Sequence, residues 1–264
     1  MALKKTHQPM SSIPLYLNQG TTLSVDIDAA QRLRIERALL PEKRIPLHLI
    51  SRIVCSSSVS ISTSALLACM RRGIPLVLVE ANGKTIGWCF GVRRTENSLR
   101  ELLRHALDDA TWETHYNHWR SNQQLAISTQ VMLLCQVPAS PAARANPRAA
   151  LCNAHRRKHQ QPCGQAVAAL AQLAQHELAA HLGRECGDPS LLAWSRPGLN
   201  LINELGALLG LHAHTDVHHT PPIGPDQTLQ PWALQRYERH AAHWQQRIAH
   251  LSVAFEQFLR EHWQ

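Results

Sequence analysis

The hydrophobic repeat of this chain changes near residue 100, and that change limits the folds open to it. Before it, apolar residues come in short β-branched runs or alternate with polar ones, the period-2 pattern of strands. After it they recur every three or four residues, the spacing of helices. A strand-rich region followed by a helix-rich one, with no βαβ alternation, implies an α+β chain. The expected domains are an N-terminal β-domain with one crossing helix, 1–95, and an all-α C-terminal domain, 96–264. A chain of 264 residues is long enough for both to bury a core. Histidine follows the same division: His7 and His48 precede residue 100 and the other fifteen of seventeen follow it.

Within the first region, "SIPLYLN" and "TTLSVDID" read as strands meeting across Gln19-Gly20 as a hairpin, and "QRLRIER" alternates as a third strand. "KRIPLHLISRIVCSSSVSIS" continues the β character. A short helix then opens at Ser62, a natural N-cap, carries Ala65, Leu66, Leu67 and Met70 as its apolar stripe, and closes at Gly73. "IPLVLVE" is a buried strand, and Asn82-Gly83 is a two-residue turn signal into "KTIGWCFG". The three thiols here, Cys55, Cys69 and Cys89, are read as buried and inert.

From Leu99 to Gln136 the helical spacing predicts one long helix or two. "PASPAARANPRAAL", with Pro138, Pro141 and Pro147, reads as a loop. A further helix runs from Gln165 to about Gly183, a short one starts at Asp188-Pro189, and another begins after the Arg196-Pro197-Gly198 turn. "HAHTDVHHTPPIGPDQTLQP" reads as a loop opened by prolines, and the last thirty residues as a helix. Trp88, Trp112, Trp119 and Trp232 fall at apolar positions suited to a core or an interface.

Charge and cysteine usage narrow the function. The net charge is +8, which favours a polyanion partner, most simply nucleic acid, over an anionic membrane surface, for which no basic amphipathic helix is evident. No apolar run is long enough to span a bilayer, and the N-terminal residues show no secretory core. Seven cysteines without framework spacing fit a reducing cytoplasm.

Three stretches carry possible chemistry. "LLAWSRPGLNLINEL", 191–205, places a turn between two helices and offers Ser195, Arg196 and Glu204. "CNAHRRKHQQPC" spaces Cys152, His155, His159 and Cys163 closely enough for a zinc knuckle that would brace Arg156, Arg157 and Lys158. "HAHTDVHH", 212–219, is similar to a metallohydrolase motif, but no alternating strands and helices surround it, so a His-rich loop is preferred.

The block "RIPLHLISRIVCSSSVSISTSALLACMRRGIPLVLVEANGKTIGWCFG" resembles the N-terminal signature of the CRISPR adaptation integrase family, the endonuclease-type subunit that inserts new spacers. "HRRKHQQPCGQAVAALAQLAQHELAAHLGRECGDPSLLAWSRPGLNLINEL" is similar to the family's catalytic stretch. The likeness implies a homodimer through residues near 45 to 91, DNA held by the helical domain, and a small partner dimer. It also implies Mg²⁺ or Mn²⁺ held by a Glu, a His and an Asp, activating the attacking hydroxyl at phosphorus.

Carried onto this sequence, the Glu position falls at Ala139 or Ser140, the His position at Trp194 or Ser195, and the Asp position at or beside Ile202. None is a ligand of the required kind. The resemblance therefore implies a catalytically inactive integrase-like subunit with no metal cofactor, binding DNA and assembling in spacer acquisition or related antiviral defence, beside an active homologue. The alternative is an active metal-dependent endonuclease or integrase with a rearranged ligand set drawn from Glu204, Glu177 and His181, the last two four apart on one helix face. A third reading keeps the fold as an interaction protein without DNA affinity. Phosphate contacts are assigned to Arg93, Arg94, Arg144, Arg148, Arg156, Arg157, Lys158 and Arg196, against the plainer view that each is a solvated surface charge.

Overall fold

The computed structural model describes residues 13–17, 23–37, 40–56, 58–80, 85–89, 91, 98–188, 190–193, 200–220, 223 and 228–263. The chain divides into two compact units, 1–93 and 94–264. The first is built on strands and the second on helices, so the α+β class read from the periodicity holds.

In the β unit, β1 (Ile13–Leu17) lies at the edge of a four-stranded sheet, parallel to β5 (Ile50–Ser56), which is parallel to β7 (Leu76–Val79). The last strand, β8 (Thr85–Cys89), runs antiparallel to β7. A second sheet has β4 (Leu40–Pro46), β3 (Arg32–Arg37) and β2 (Leu23–Ile27) antiparallel, with β6 (Val59–Ile61) parallel to β2. The expected hairpin of β1 with β2 is therefore corrected: the two strands lie in different sheets. Alternation had established that both are strands but not which partner each finds. Gln19-Gly20 and Asn82-Gly83 lie outside the described residues.

Helix α1 (Thr63–Arg71) is punctuated as its sequence implies. Ser62 Oγ accepts from the Ala65 amide at 3.1 Å, and Gly73 sits at φ 66, a conformation that costs glycine nothing. Its inner face is Ala65, Ala68 and Cys69, with Leu66 packed beside them; of the expected stripe Leu67 departs, at 43% exposed. The core gathers Leu17, Leu33, Ile35, Ile53 and Leu76 from both sheets, with Leu47 from the turn between β4 and β5, against α1. On the opposite side of the first sheet Val54, Val77 and Val79 form a smaller cluster with Tyr16 and Trp88. Strands β5 and β7 thus bury both faces, which is why they read as continuous apolar runs.

The helical unit begins with α2 (Ser98–Asp108) and α3 (Trp112–Leu134), so the forty-residue periodic stretch is two helices. The proline-rich segment is a correction. It forms α4 (Pro141–Ala145) and α5 (Pro147–His159), each with Pro in its first turn, where the missing amide proton would have had no partner. Ser140 and Asn146 cap them, accepting from Ala143 and Ala149.

Helix α6 (Gly164–Cys186) packs against α8 (Leu201–His218), with the short α7 (Ser190–Ala193) between them in sequence. The two long helices approach closely at small residues: a Cβ on Gly206 would lie 2.8 Å from the Gln175 side chain. The chain ends in α9 (Leu229–Arg239) and α10 (Ala241–Trp263), two helices where one was expected. Trp112 is fully buried, stacked on Tyr116 at 5.0 Å and flanked by Phe258 and Trp263 of α10.

The expected His-rich loop is also corrected, because His212, His214 and His218 continue α8. That helix is buried almost all round, so its polar residues face neighbouring helices instead of breaking it. Among the described residues, no helix is long and apolar enough to cross a membrane.

Candidate functional site

The first two turns of α8 are where the sequence reading located its most telling positions. Asn200 caps the helix, its Oδ1 accepting from the Asn203 amide at 3.0 Å. Ile202 points into the core and is wholly buried. Asn203 accepts from Gln175 Nε2 of α6 at 2.6 Å. Glu204 is ion-paired with Arg120 of α3. One turn further on, the backbone carbonyl of Ala207 accepts from Arg148 Nη2 of α5 at 3.3 Å. Two guanidinium groups therefore meet this stretch against one carboxylate, and the amino-terminal turns of α5 and α8 add positive dipole ends. An arrangement of that sign attracts phosphate oxygens and opposes a divalent cation.

The remaining positions do not converge. Ala139 is exposed just before α4, and Ser140 spends its hydroxyl on the helix cap. Glu177 accepts from Tyr237 Oη at 3.0 Å, tying α6 to α9. His181, one turn later, has its pKa lowered chiefly by burial and then by Arg184. Within the described residues, Glu204, Glu177 and His181 are not brought together with a third ligand. Trp194, Ser195 and Arg196 lie outside the described residues, as do Arg93 and Arg94.

The phosphate-contact candidates described in the helical unit fall on α4 and α5. Arg144 is exposed in the last turn of α4, and Arg148 is exposed near the start of α5. Arg156 and Arg157 are exposed in the last turn of α5, where positive charge also suits the helix dipole. Lys158 points the other way: its Nζ donates to the His218 carbonyl at the end of α8, at 3.0 Å.

Of the four residues suggested for zinc, the structure joins two and replaces the others. The Sγ atoms of Cys152 and Cys163 are 3.2 Å apart, and a ring nitrogen of His214 lies with them, all three donors within 4.8 Å of one another. His155 and His159 lie beside this cluster, their rings tilted with centroids 4.6 Å apart, and His159 Nε2 bonds to the His218 carbonyl at 2.9 Å. His214 was missed because its stretch read as a loop. Continuing the helical spacing of "LINELGALLGL" through residue 214 would have found it.

With two sheets and one crossing helix followed by helices around α6 and α8, the chain has a defined architectural class, a β unit preceding an all-α unit. Residues 15–117 match the family described as CRISPR associated protein Cas1. Over that stretch, well under half of its length, the chain is similar to that family. Among solved structures it is similar to a CAS1 protein from Thermotoga maritima, with a TM-score of 0.77 at 11% identity, covering 94% of this chain and 97% of that one. The TtCas1–DNA complex aligns with a TM-score of 0.62 at 12% identity, covering 94% and 92%. A casposase bound to integration product aligns at 0.58 and 11%, covering 87% and 82%. These likenesses concern the fold. No curated protein matches the sequence.

Proposed function

We propose that this chain is a DNA-binding and assembly subunit in CRISPR adaptation or a related antiviral defence, without metal-dependent chemistry at the family's three-ligand site. The observation that carries the reading is the start of α8. Its acid, Glu204, is neutralised by Arg120, its neighbour Ile202 is a core residue, and Arg148 adds another positive charge. Catalysis by two-oxygen displacement at phosphorus needs a divalent ion held by several oxygen or imidazole donors. Phosphate binding needs only positive groups and oriented amides, and those are present. The similar TtCas1–DNA complex and the casposase bound to its integration product support a nucleic-acid ligand.

The same reading extends to a cytoplasmic homodimer through the β unit, a small adaptation partner subunit and an active homologue that performs integration. Leu67 and Ile86, 43% and 62% exposed within the expected dimer segment, are apolar groups such a contact would cover. On this view Arg144, Arg156 and Arg157 grip phosphate oxygens, and no resident Mg²⁺ or Mn²⁺ is required.

The test is binding of the purified full chain to short duplex and branched DNA across a salt series, with Mg²⁺ or Mn²⁺ present and product formation followed in parallel. Expected is binding whose logarithm falls linearly with the logarithm of salt concentration, with no cleavage or joining. Replacing Arg156 and Arg157 by Ala should make that line shallower. Metal-dependent joining abolished by Glu204→Gln would instead identify a working, rearranged site, and salt-insensitive or absent binding would leave an interaction protein.

A further inference from the structure

We propose that Cys152, Cys163 and His214 form a zinc site that fastens the end of α5 and the start of α6 to the middle of α8. It goes beyond the functional reading above and does not depend on it, because it uses a different part of α8 and a different kind of donor.

The three donors come from separate elements. Cys152 lies on α5, Cys163 is the residue capping α6, and His214 lies on α8 more than fifty residues later in the chain. Chance clustering along one helix therefore does not explain their approach. Cys163 and His214 are buried and Cys152 is half-buried, so the site is shielded from water without being sealed.

Zinc bonds of about 2.3 Å to sulfur and about 2.0 Å to nitrogen place tetrahedral ligands roughly 3.4–3.8 Å apart. The observed 3.2 Å between the sulfurs and the 4.8 Å limit for all three bracket that spacing. Small side-chain rotations would suffice. Two thiolates and a neutral imidazole also balance the charge of Zn²⁺, leaving a neutral complex in a buried place.

A second observation marks the same neighbourhood. His155 follows Cys152 by three residues, on the same face of α5, and is 5% exposed. Its Nδ1 is buried without a hydrogen-bond partner. A buried imidazole nitrogen so placed is suited to the fourth position of the site, directly or through a water molecule. The donor set is soft, so it selects zinc over the oxygen-seeking Mg²⁺ and Mn²⁺. On binding, each thiol gives its proton to solvent as its sulfur–metal bond forms, and no electron is transferred.

The consequence is mechanical. The turn at Gln160, held at φ 56, joins α5 to the cap of α6, and Arg156 and Arg157 lie one turn beyond Cys152. Fixing Cys152 and Cys163 to α8 would hold that basic turn in one orientation.

The test starts with the full chain, prepared reduced from zinc-containing medium and measured by elemental analysis. Expected is about one zinc per chain, lost in Cys152→Ser and in His214→Ala but kept in Cys186→Ser, a buried thiol elsewhere in the unit. Since His214→Ala is a buried change, the unaltered chain provides a second readout. Stripped of metal and titrated with Co²⁺, it should show the thiolate-to-cobalt charge-transfer band, which zinc then abolishes. A folded, reduced chain that retains no zinc and gives no such band would overturn the proposal. So would a freshly prepared chain lighter by two hydrogens, with Cys152 and Cys163 joined in one disulfide.

Discussion

Among the described residues, the β unit buries one charged side chain, Arg52, whose Nη2 donates to Tyr16 Oη at 2.9 Å. The helical unit buries His155, His176, His212, His214, His218 and Asp216, together with Ser128, Thr215 and Thr220. The first unit is a packing scaffold whose polar groups stay at the rim. The second carries titratable groups into its centre, most of them on α8. Buried polar groups persist where they find partners, and each one makes the interior sensitive to protonation or metal. The contrast needs no motif: Arg52 aside, the β unit keeps its described charges at the rim, and the helical unit carries titratable groups into its centre.

If that contrast is sound, the largest effects should separate the units. Trp112 anchors the apolar side of the helical unit, wholly buried among Tyr116, Phe258 and Trp263. Trp112→Ala should destabilise it by about 3–5 kcal/mol through lost burial and a residual cavity. In a calorimetric melt the expected result is a lowered helical transition beside an unmoved β transition. One transition shifted as a whole would show that the two units unfold together, and the comparison would then describe composition only.

Acid should separate them next, in different windows. Burial, aided by Arg247, holds His212 down at about 4 against an ordinary 6.5. His218 is held at a similar value by burial, Lys158, His219, His155 and His159. Both are neutral when folded and take up a proton more readily when unfolded. Their contribution is complete above about pH 6.5 and is lost as pH falls toward 4. For His212 that is roughly 3 kcal/mol. In the β unit, Asp26 is lowered from 3.8 to about 2, first by the Ser62 hydroxyl and then by the Ile27 amide, Ser64 and Arg34. Its contribution holds above about pH 4 and falls away only toward pH 2. Far-ultraviolet circular dichroism against pH should therefore show helix lost before strand. Strand loss first would reverse the assignment of the acid-sensitive interior.

How much of this was legible in the sequence follows from the kind of interaction involved. Ser62, Gly73 and the runs of β5 and β7 were readable because each acts within a few residues of itself. The partner of β1 was not, since its parallel pairing with β5 joins residues nearly forty apart and leaves no local mark. Pro141 and Pro147 misled because proline breaks helices in their interior yet suits their first turn, and only the caps Ser140 and Asn146 distinguish the two cases. The histidines of α8 misled because polarity was read as exposure. Cys152 and Cys163 were legible as a pair, whereas His214 became their neighbour only once α8 was packed. The family likeness pointed to Ile202 and to Glu204 nearby, but nothing in the letters could reveal that Arg120, eighty-four positions earlier, sits against that acid.

That ion pair gives the smallest expected effect and the sharpest use of the comparison. Glu204 and Arg120 are each about one-third exposed, so in water-screened surroundings their attraction is worth about 0–1 kcal/mol. On the proposed reading, Glu204→Gln should shift the melting temperature little, and Mn²⁺ should stabilise neither the variant nor the unaltered chain. A ligand role makes the opposite demand. A bound ion stabilises the folded state in proportion to the logarithm of its concentration over its dissociation constant, and that gain would vanish with the carboxylate. Thermal melts at several Mn²⁺ concentrations, with Arg120→Gln alongside, separate the cases. If Mn²⁺ stabilises the unaltered chain and Arg120→Gln strengthens the effect while Glu204→Gln removes it, Glu204 is a metal ligand held in check by its arginine. The interior of the helical unit would then be a working centre.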